Sequence, residues 1–147
     1  MRVALVTGGG RGIGKAIARA FAGPDTHVAI CGRTKPQLES TAAELEKLGG
    51  RALAIEMDVT SEQSVADGMA RVRKAVDRID VLVNTAGMGG GEPIAGSDIA
   101  RWRATVDTNV TGTYLVTREA VPMMSGGGRI VNISSVLGRF GVPGYTA

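Results

Sequence analysis

Short apolar runs alternate along this chain with segments whose apolar residues recur at helical spacing. The runs 2–7, 27–32, 51–57, 79–84 and 129–134 are rich in Val, Ile and Leu. Runs of that length and composition suit strands buried on both faces. Helical patterns fill the intervals near 12–22, 35–48, 61–77 and 98–124. Gly49-Gly50 is a natural stop for the second helix. Thr60-Ser61-Glu62-Gln63 opens the third, with Thr60 predicted as its cap and Gln63 as the partner that completes a capping box. The glycine-rich stretch 87–91 reads as a loop above the sheet, and Gly126-Gly127-Gly128 as a tight entry into the fifth strand. Such alternation predicts right-handed crossovers and a parallel sheet.

The 147 residues form one expected domain, 1–147, with no repeat and no linker. Hydrophobic residues make up 44% of the chain, enough for a real core, and aromatics only 3%, so aliphatic side chains must fill it. No apolar run reaches the roughly 20 residues of a membrane span. The first strand starts at once, which leaves no room for a signal peptide. Cys31 is the single cysteine, so an intrachain disulfide or a cysteine zinc cluster is excluded and no metal is expected. These features favour a cytoplasmic protein. The net charge of +3 is dispersed and aromatic stacking partners are scarce, which argues against nucleic-acid binding.

In a doubly wound α/β sheet, ligands bind beyond the carboxyl ends of the strands, where strand order reverses. The first strand runs directly into Gly8-Gly9-Gly10-Arg11-Gly12-Ile13-Gly14 and then a helix. A glycine loop that opens a helix brings backbone N–H groups and the helix dipole to an anion such as a dinucleotide phosphate. The second strand ends Gly32-Arg33-Thr34, without the acid that NAD sites place against the ribose 2′-hydroxyl. Arg33 and Arg11 suit a 2′-phosphate, which they can grip in a planar fork. NADP(H) is therefore favoured over NAD, although both arginines also read as solvated surface residues. Asp58 and Val59 end the third strand and fit an adenine, the acid accepting from its amino group; a helix-capping Asp is the plainer reading. Asn84, Thr85, Ala86 and Gly87 end the fourth and allow close approach to a ribose, or form a simple turn. Ser134-Ser135 end the fifth, where a hydroxyl can polarise a carbonyl or merely cap the strand.

Taken together these residues resemble the short-chain dehydrogenase/reductases, across all 147 positions. Thr7 to Gly14 matches T-G-x-x-x-G-x-G, and Asp58-Val59 matches the adenine-pocket pair. Asn84-Thr85-Ala86-Gly87 matches N-N-A-G with Thr85 replacing the second Asn. Asn109 falls at the family's helix asparagine, and Gly128 to Ser135 matches its serine strand. Within the family the chain looks like NADPH-using ketoreductases acting on 3-oxoacyl or polyketide carriers. The resemblance implies a Rossmann-like fold and hydride transfer between nicotinamide C4 and a carbonyl or alcohol. It gives Ser135 the hydrogen bond to the carbonyl and Asn109 a water in a proton relay. Its cofactor residues are Gly8, Gly10, Arg11, Gly12, Ile13, Gly14, Arg33, Thr34, Asp58, Val59, Asn84, Ala86 and Gly87. The implied partner is a small-molecule or carrier-bound carbonyl substrate, in a homodimer or homotetramer when complete.

The family also carries a catalytic tyrosine, with a lysine four residues later that lowers its pKa. Tyr145 stands too close to Ser135 for that role at the usual spacing, and no lysine follows it. It reads as a loop aromatic near the substrate mouth, with a general acid brought in by a shortened loop as the lesser reading. The expected fold is thus strands 1–5, without the later helix, strands and lid of the family. Three readings stay open: part of a longer reductase, one half of a complemented enzyme, or a non-catalytic nucleotide-binding fragment.

Overall fold

The computed structural model describes residues 1–145. Its sheet has five parallel strands: β1 (Arg2–Thr7), β2 (Thr26–Gly32), β3 (Arg51–Glu56), β4 (Val81–Asn84) and β5 (Arg129–Asn132). Their order is β3-β2-β1-β4-β5. Strand order therefore reverses between β1 and β4, as the doubly wound reading requires. The helices are α1 (Gly12–Phe21), α2 (Lys35–Lys47), α3 (Glu62–Ala75), α4 (Ile99–Val106) and α5 (Gly112–Ala120).

Strand parity divides the core. Val3 and Leu5 of β1, Ala29 and Cys31 of β2, Ile55 of β3 and Leu82 of β4 face α3 and α5. Ala4, Val6, Val28, Ile30, Val81 and Val83 face α1 and α2. The central strands bury side chains on both faces because helices cover both. Each fully buried Leu or Ile adds on the order of 1.5–3 kcal/mol relative to leaving it in water. β5 differs: Ile130 and Val131 stay about two-fifths exposed, at 42% and 43%. Among the described residues, its outer edge pairs with nothing.

Three elements depart from the sequence reading. Ser61, not Thr60, caps α3, and its Oγ accepts from Ser64 N at 3.2 Å. Thr60 is already engaged, donating through both N and Oγ1 to Asp58 Oδ1. Gln63 does not close a capping box; its amide donates to Asp67. β4 begins at Val81 rather than 79 because Asp80 ends the ladder with its side chain: Asp80 Oδ2 accepts from Val3 N at 2.8 Å. The segment 98–124 is not one regular helix. A π-helical turn, Asp107–Thr111, separates α4 from α5, and a 3₁₀ turn follows at Val121–Met123. The hydroxyls of Thr105, Thr108 and Thr113 donate to the carbonyls of Arg101, Ala104 and Asn109, each four residues back. Such back-bonding competes with the backbone ladder and loosens it locally.

Among the described residues, no helix is long and apolar enough to cross a membrane.

His27, on β2, pairs in register with Val3 on one side and Arg51 on the other. Partial burial, then the Arg51 charge, hold its pKa below the ordinary histidine value of 6.5. The folded chain thus binds fewer protons than the unfolded chain just below that value. Stability is full above about pH 6.5 and falls as the pH drops toward the depressed folded value. His27→Gln is expected to flatten the loss of urea stability between about pH 7.5 and 5. An identical pH slope in the variant would assign the dependence elsewhere.

Candidate functional site

The ladder between β1 and β4 ends at Val6 opposite Val83, and the two strands then part. Thr7, fully buried, spans the gap: its Oγ1 accepts from Thr85 N and Ala86 N, both at 2.9 Å. Above the parting lies a cavity of about 390 Å³. It is walled by the carboxyl ends of β1, β2, β3 and β4 and by the starts of α1 and α2.

The glycine loop forms its floor. Gly12 has φ +55°, a left-handed conformation that disfavours any side chain, and open space lies where its Cβ would project. A Cβ on Gly14 would strike the Gly8 carbonyl, so glycine there lets α1 abut the end of β1. Among the described residues, no side chain caps α1 or α2. By contrast Ser61 caps α3, and Asp98 Oδ1 caps α4 through Ala100 N at 2.9 Å. α5 also lacks a side-chain cap, but it continues directly from the π turn, so the two helices that start afresh without a cap are the two that open into the cavity. At α1 the first-turn N–H groups and the helix dipole suit an anion; α2 adds its dipole, but Pro36 has no N–H and Gln37 N donates to the Thr34 carbonyl at 3.1 Å.

Arg11 and Arg33 line the same cavity. Asp58 lines it too, within reach of the Arg33 charge. Partial burial pulls its carboxyl upward, but two hydrogen bonds from Thr60 and the Arg33 charge outweigh this and hold it below the usual carboxylate value. Both Thr60 bonds end on Oδ1, so the other oxygen is available to a ligand. Cys31 is no nucleophile: burial pushes its thiol up to about 12, against a smaller opposing effect from the Gly8 backbone.

The cavity gathers most of the expected cofactor residues: Gly8, Gly10, Arg11, Gly12, Ile13 and Gly14, then Arg33, Thr34, Asp58, Val59, Ala86 and Gly87. Asn84 is not among them. It shares the strand face of Leu82, and its Nδ2 donates to Thr117 Oγ1 and Asn132 Oδ1, at 3.1 and 2.9 Å. It ties β4 to β5 and α5 instead. Asn109 and Ser135 also lie outside this wall. The Asn109 amide clasps Met88 at both ends, accepting from its N and donating to its O, each at 2.9 Å. Ser135 Oγ accepts from Leu137 N at 3.2 Å and caps a short 3₁₀ turn, Val136–Gly138. Accepting there leaves the hydroxyl proton free to donate. The Tyr145 ring lies over Gly91, at the rim of the 87–91 loop.

Thr85, read in the sequence as part of the fourth strand end, lines the cavity too, and Gln37, Leu38, Met57, Thr108 and Ile133 do so without having been singled out as site residues. Gln37 and Leu38 follow Thr34 by one helical turn, a spacing that could have flagged them. Thr108 reaches the cavity from within the π turn, which no sequence period marks.

A description of the short chain dehydrogenase family matches residues 2–147. The 3-oxoacyl-[acyl-carrier-protein] reductase FabG of Aquifex aeolicus is 39% identical over 140 residues, covering 93% of this chain and 56% of that protein. The cis-4-hydroxycyclohexanecarboxylate dehydrogenase of Sinomonas cyclohexanicum is 41% identical over 143 residues, covering 95% and 57%. A metagenomic short-chain oxidoreductase solved in complex with NADP superposes with a TM-score of 0.91 at 35% identity, covering 98% of this chain and 66% of that one. The chain spans little more than half the length of the curated relatives it matches. With the parallel sheet, the reversal between β1 and β4 and the glycine floor of the cavity, these similarities make the chain a member of the short chain dehydrogenase family.

Proposed function

We propose that the chain is the NADP(H)-binding portion of an oxidoreductase that interconverts a carbonyl and an alcohol, within a longer or complemented protein. One observation carries the cofactor reading. Arg11, Arg33 and the uncapped starts of α1 and α2 converge on one cavity whose β2 edge carries no acid. That combination favours a dianionic 2′-phosphate over a ribose 2′-hydroxyl. The open space over Gly12 gives room for a pyrophosphate. The family neighbour solved with NADP supports the same reading.

When bound, the nicotinamide group would supply or accept the hydride. The chain's own residues bind and orient. The α1 N–H groups would hold the pyrophosphate, Arg33 and Arg11 the 2′-phosphate, and Asp58 with Val59 the adenine. Ser135 donates its free proton toward the carbonyl oxygen. Asn109 acts through position: its amide fixes Met88, and with it the loop that borders the reacting end. Its own backbone carbonyl accepts from Thr113 Oγ1, and the water of the implied relay would sit at this residue. The relatives' names pair a 3-oxoacyl carrier ester with a ring-bound secondary alcohol. A secondary alcohol and its ketone, free or carrier-bound, is the substrate class proposed here.

Titration calorimetry on the chain is expected to give NADPH at least about tenfold tighter binding than NADH, the effect of roughly 1.4 kcal/mol from charge-assisted phosphate contacts. Arg33→Asp with Arg11→Ala should reverse or abolish that preference. An unchanged ratio of the two affinities rejects the 2′-phosphate assignment, and no binding of either nucleotide rejects the site. In a preparation that oxidises NADPH with a ketone, Ser135→Ala should lower kcat by about a hundredfold or more. NADPH affinity should stay within about twofold; a parallel loss of cofactor binding would make the serine structural.

A further inference from the structure

Leu38, Thr41 and Leu45 form the buried stripe of α2, and all three are essentially inaccessible. Leu38 and Leu45 belong to the core shared with β1, β2 and β4. The middle position of that stripe calls for another aliphatic residue, yet it holds a hydroxyl. A buried hydroxyl is costly unless it is hydrogen-bonded. Thr41 Oγ1 has one partner across the interface: it donates to the Gly10 carbonyl at 3.2 Å, 31 residues earlier in the chain.

Gly10 is the residue before Arg11, at the turn into α1. Its fit against α2 is close, since a Cβ there would lie 3.2 Å from Gln37 Cβ and 3.4 Å from Leu38 Cδ2. A loop that holds an anion must point N–H groups at it and carbonyls away from it, because a carbonyl oxygen repels a phosphate oxygen. Gly10 therefore needs an acceptor's partner on the side away from the cavity, and Thr41 supplies it. Around this contact, Glu44 binds Lys15 at 2.6 Å and Arg19 at 2.9 Å, holding α1 against α2.

We infer that Thr41 is a positioning residue for the phosphate loop: its hydroxyl turns the Gly10 carbonyl toward α2 and so presents the following N–H groups to the cofactor pyrophosphate. The inference rests on the dinucleotide reading of the cavity and does not depend on which dinucleotide is preferred. Thr41 touches no ligand itself. Its effect falls on the part of the cofactor that NADPH and NADH share.

The test uses Thr41→Val, which keeps shape and removes the hydroxyl, and Thr41→Ser, which keeps the hydroxyl. Calorimetry on the 147-residue chain is expected to show both NADPH and NADH weakened about tenfold in Thr41→Val, with their ratio within about twofold of wild type. Thr41→Ser should restore both affinities to within about threefold. Wild-type affinity in Thr41→Val overturns the inference. So does a loss that serine does not restore, which would mark Thr41 as a packing residue. If the wild-type chain binds neither nucleotide, the site reading fails, and hydrogen exchange of the Gly8–Gly14 amides in the free chain decides this inference alone. Exchange about tenfold faster in Thr41→Val and normal in Thr41→Ser sustains it; unchanged exchange overturns it.

Discussion

The backbone ladder between β1 and β4 stops at Val6 and Val83, and beyond that point one buried hydroxyl carries the pairing. Thr7 Oγ1 takes two successive N–H groups, those of Thr85 and Ala86, so neither is left bare where the strands diverge. Each such bond contributes about 0.5–1.5 kcal/mol net, and each N–H abandoned in the interior would cost roughly 1–3 kcal/mol. Against a typical total of about 5–15 kcal/mol, that is a large share for one side chain. The contact also fixes geometry. It sets how far the glycine loop and the Thr85–Gly87 turn stand apart, and that separation is the width of the cavity. Gly8 sits beside the joint, its Cβ position 3.1 Å from Ala86.

The cavity's electrostatic character follows from what is missing at two helix starts and present at two others. α3 and α4 begin with Ser61 and Asp98, whose oxygens satisfy first-turn N–H groups. α1 begins with Arg11 and α2 with Thr34, and neither side chain does so. Each uncapped start forgoes about 1 kcal/mol of capping stability. At α1 that sacrifice is consistent with a site prepared for an anionic ligand, because the same N–H groups are then satisfied by the ligand; at α2, Pro36 and the Gln37 bond to Thr34 leave a cap little to satisfy. Two arginines at the same wall add charge, and Asp58 stays ionised beside Arg33.

Much of this arrangement was legible in the sequence, for physical reasons. The glycine loop could be read because only glycine permits the turn at Gly12 and the approach at Gly14. The strand ends could be read because parallel topology forces them to one side of the sheet. Parity could have corrected the reading of Asn84: it shares a face with Leu82, so its side chain meets Thr117 and Asn132 rather than the cavity. The π turn could not be read, because threonine back-bonding shifts the register without altering the apolar pattern, and Thr108 enters the cavity by that shift. The cap of α3 depended on competition between neighbours: Thr60 was claimed by Asp58, which left Ser61 to do the work. A local motif does not reveal such competition.

The residues that line the cavity and the candidate reacting residues differ in how the fold holds them. Thr7 and the strands beneath the glycine loop are buried in the two cores, and α1 and α2 are locked by Glu44 and by Thr41. Ser135 and Asn109 sit instead on exposed segments, one after the edge strand β5 and the other in the loosened π turn. Their constraints are local: one bond from Leu137 for Ser135, and the two-ended clasp on Met88 for Asn109. Segments with few buried contacts open more readily than the core. The cavity is therefore formed by the core itself, whereas the segments that carry Ser135 and Asn109 depend on contacts that a ligand or further protein surface along β5 can tighten. A cavity fixed by the two cores beside a loosely held edge lets the two vary independently: the segments after β5 and around the π turn can be reshaped without disturbing the width that Thr7 sets.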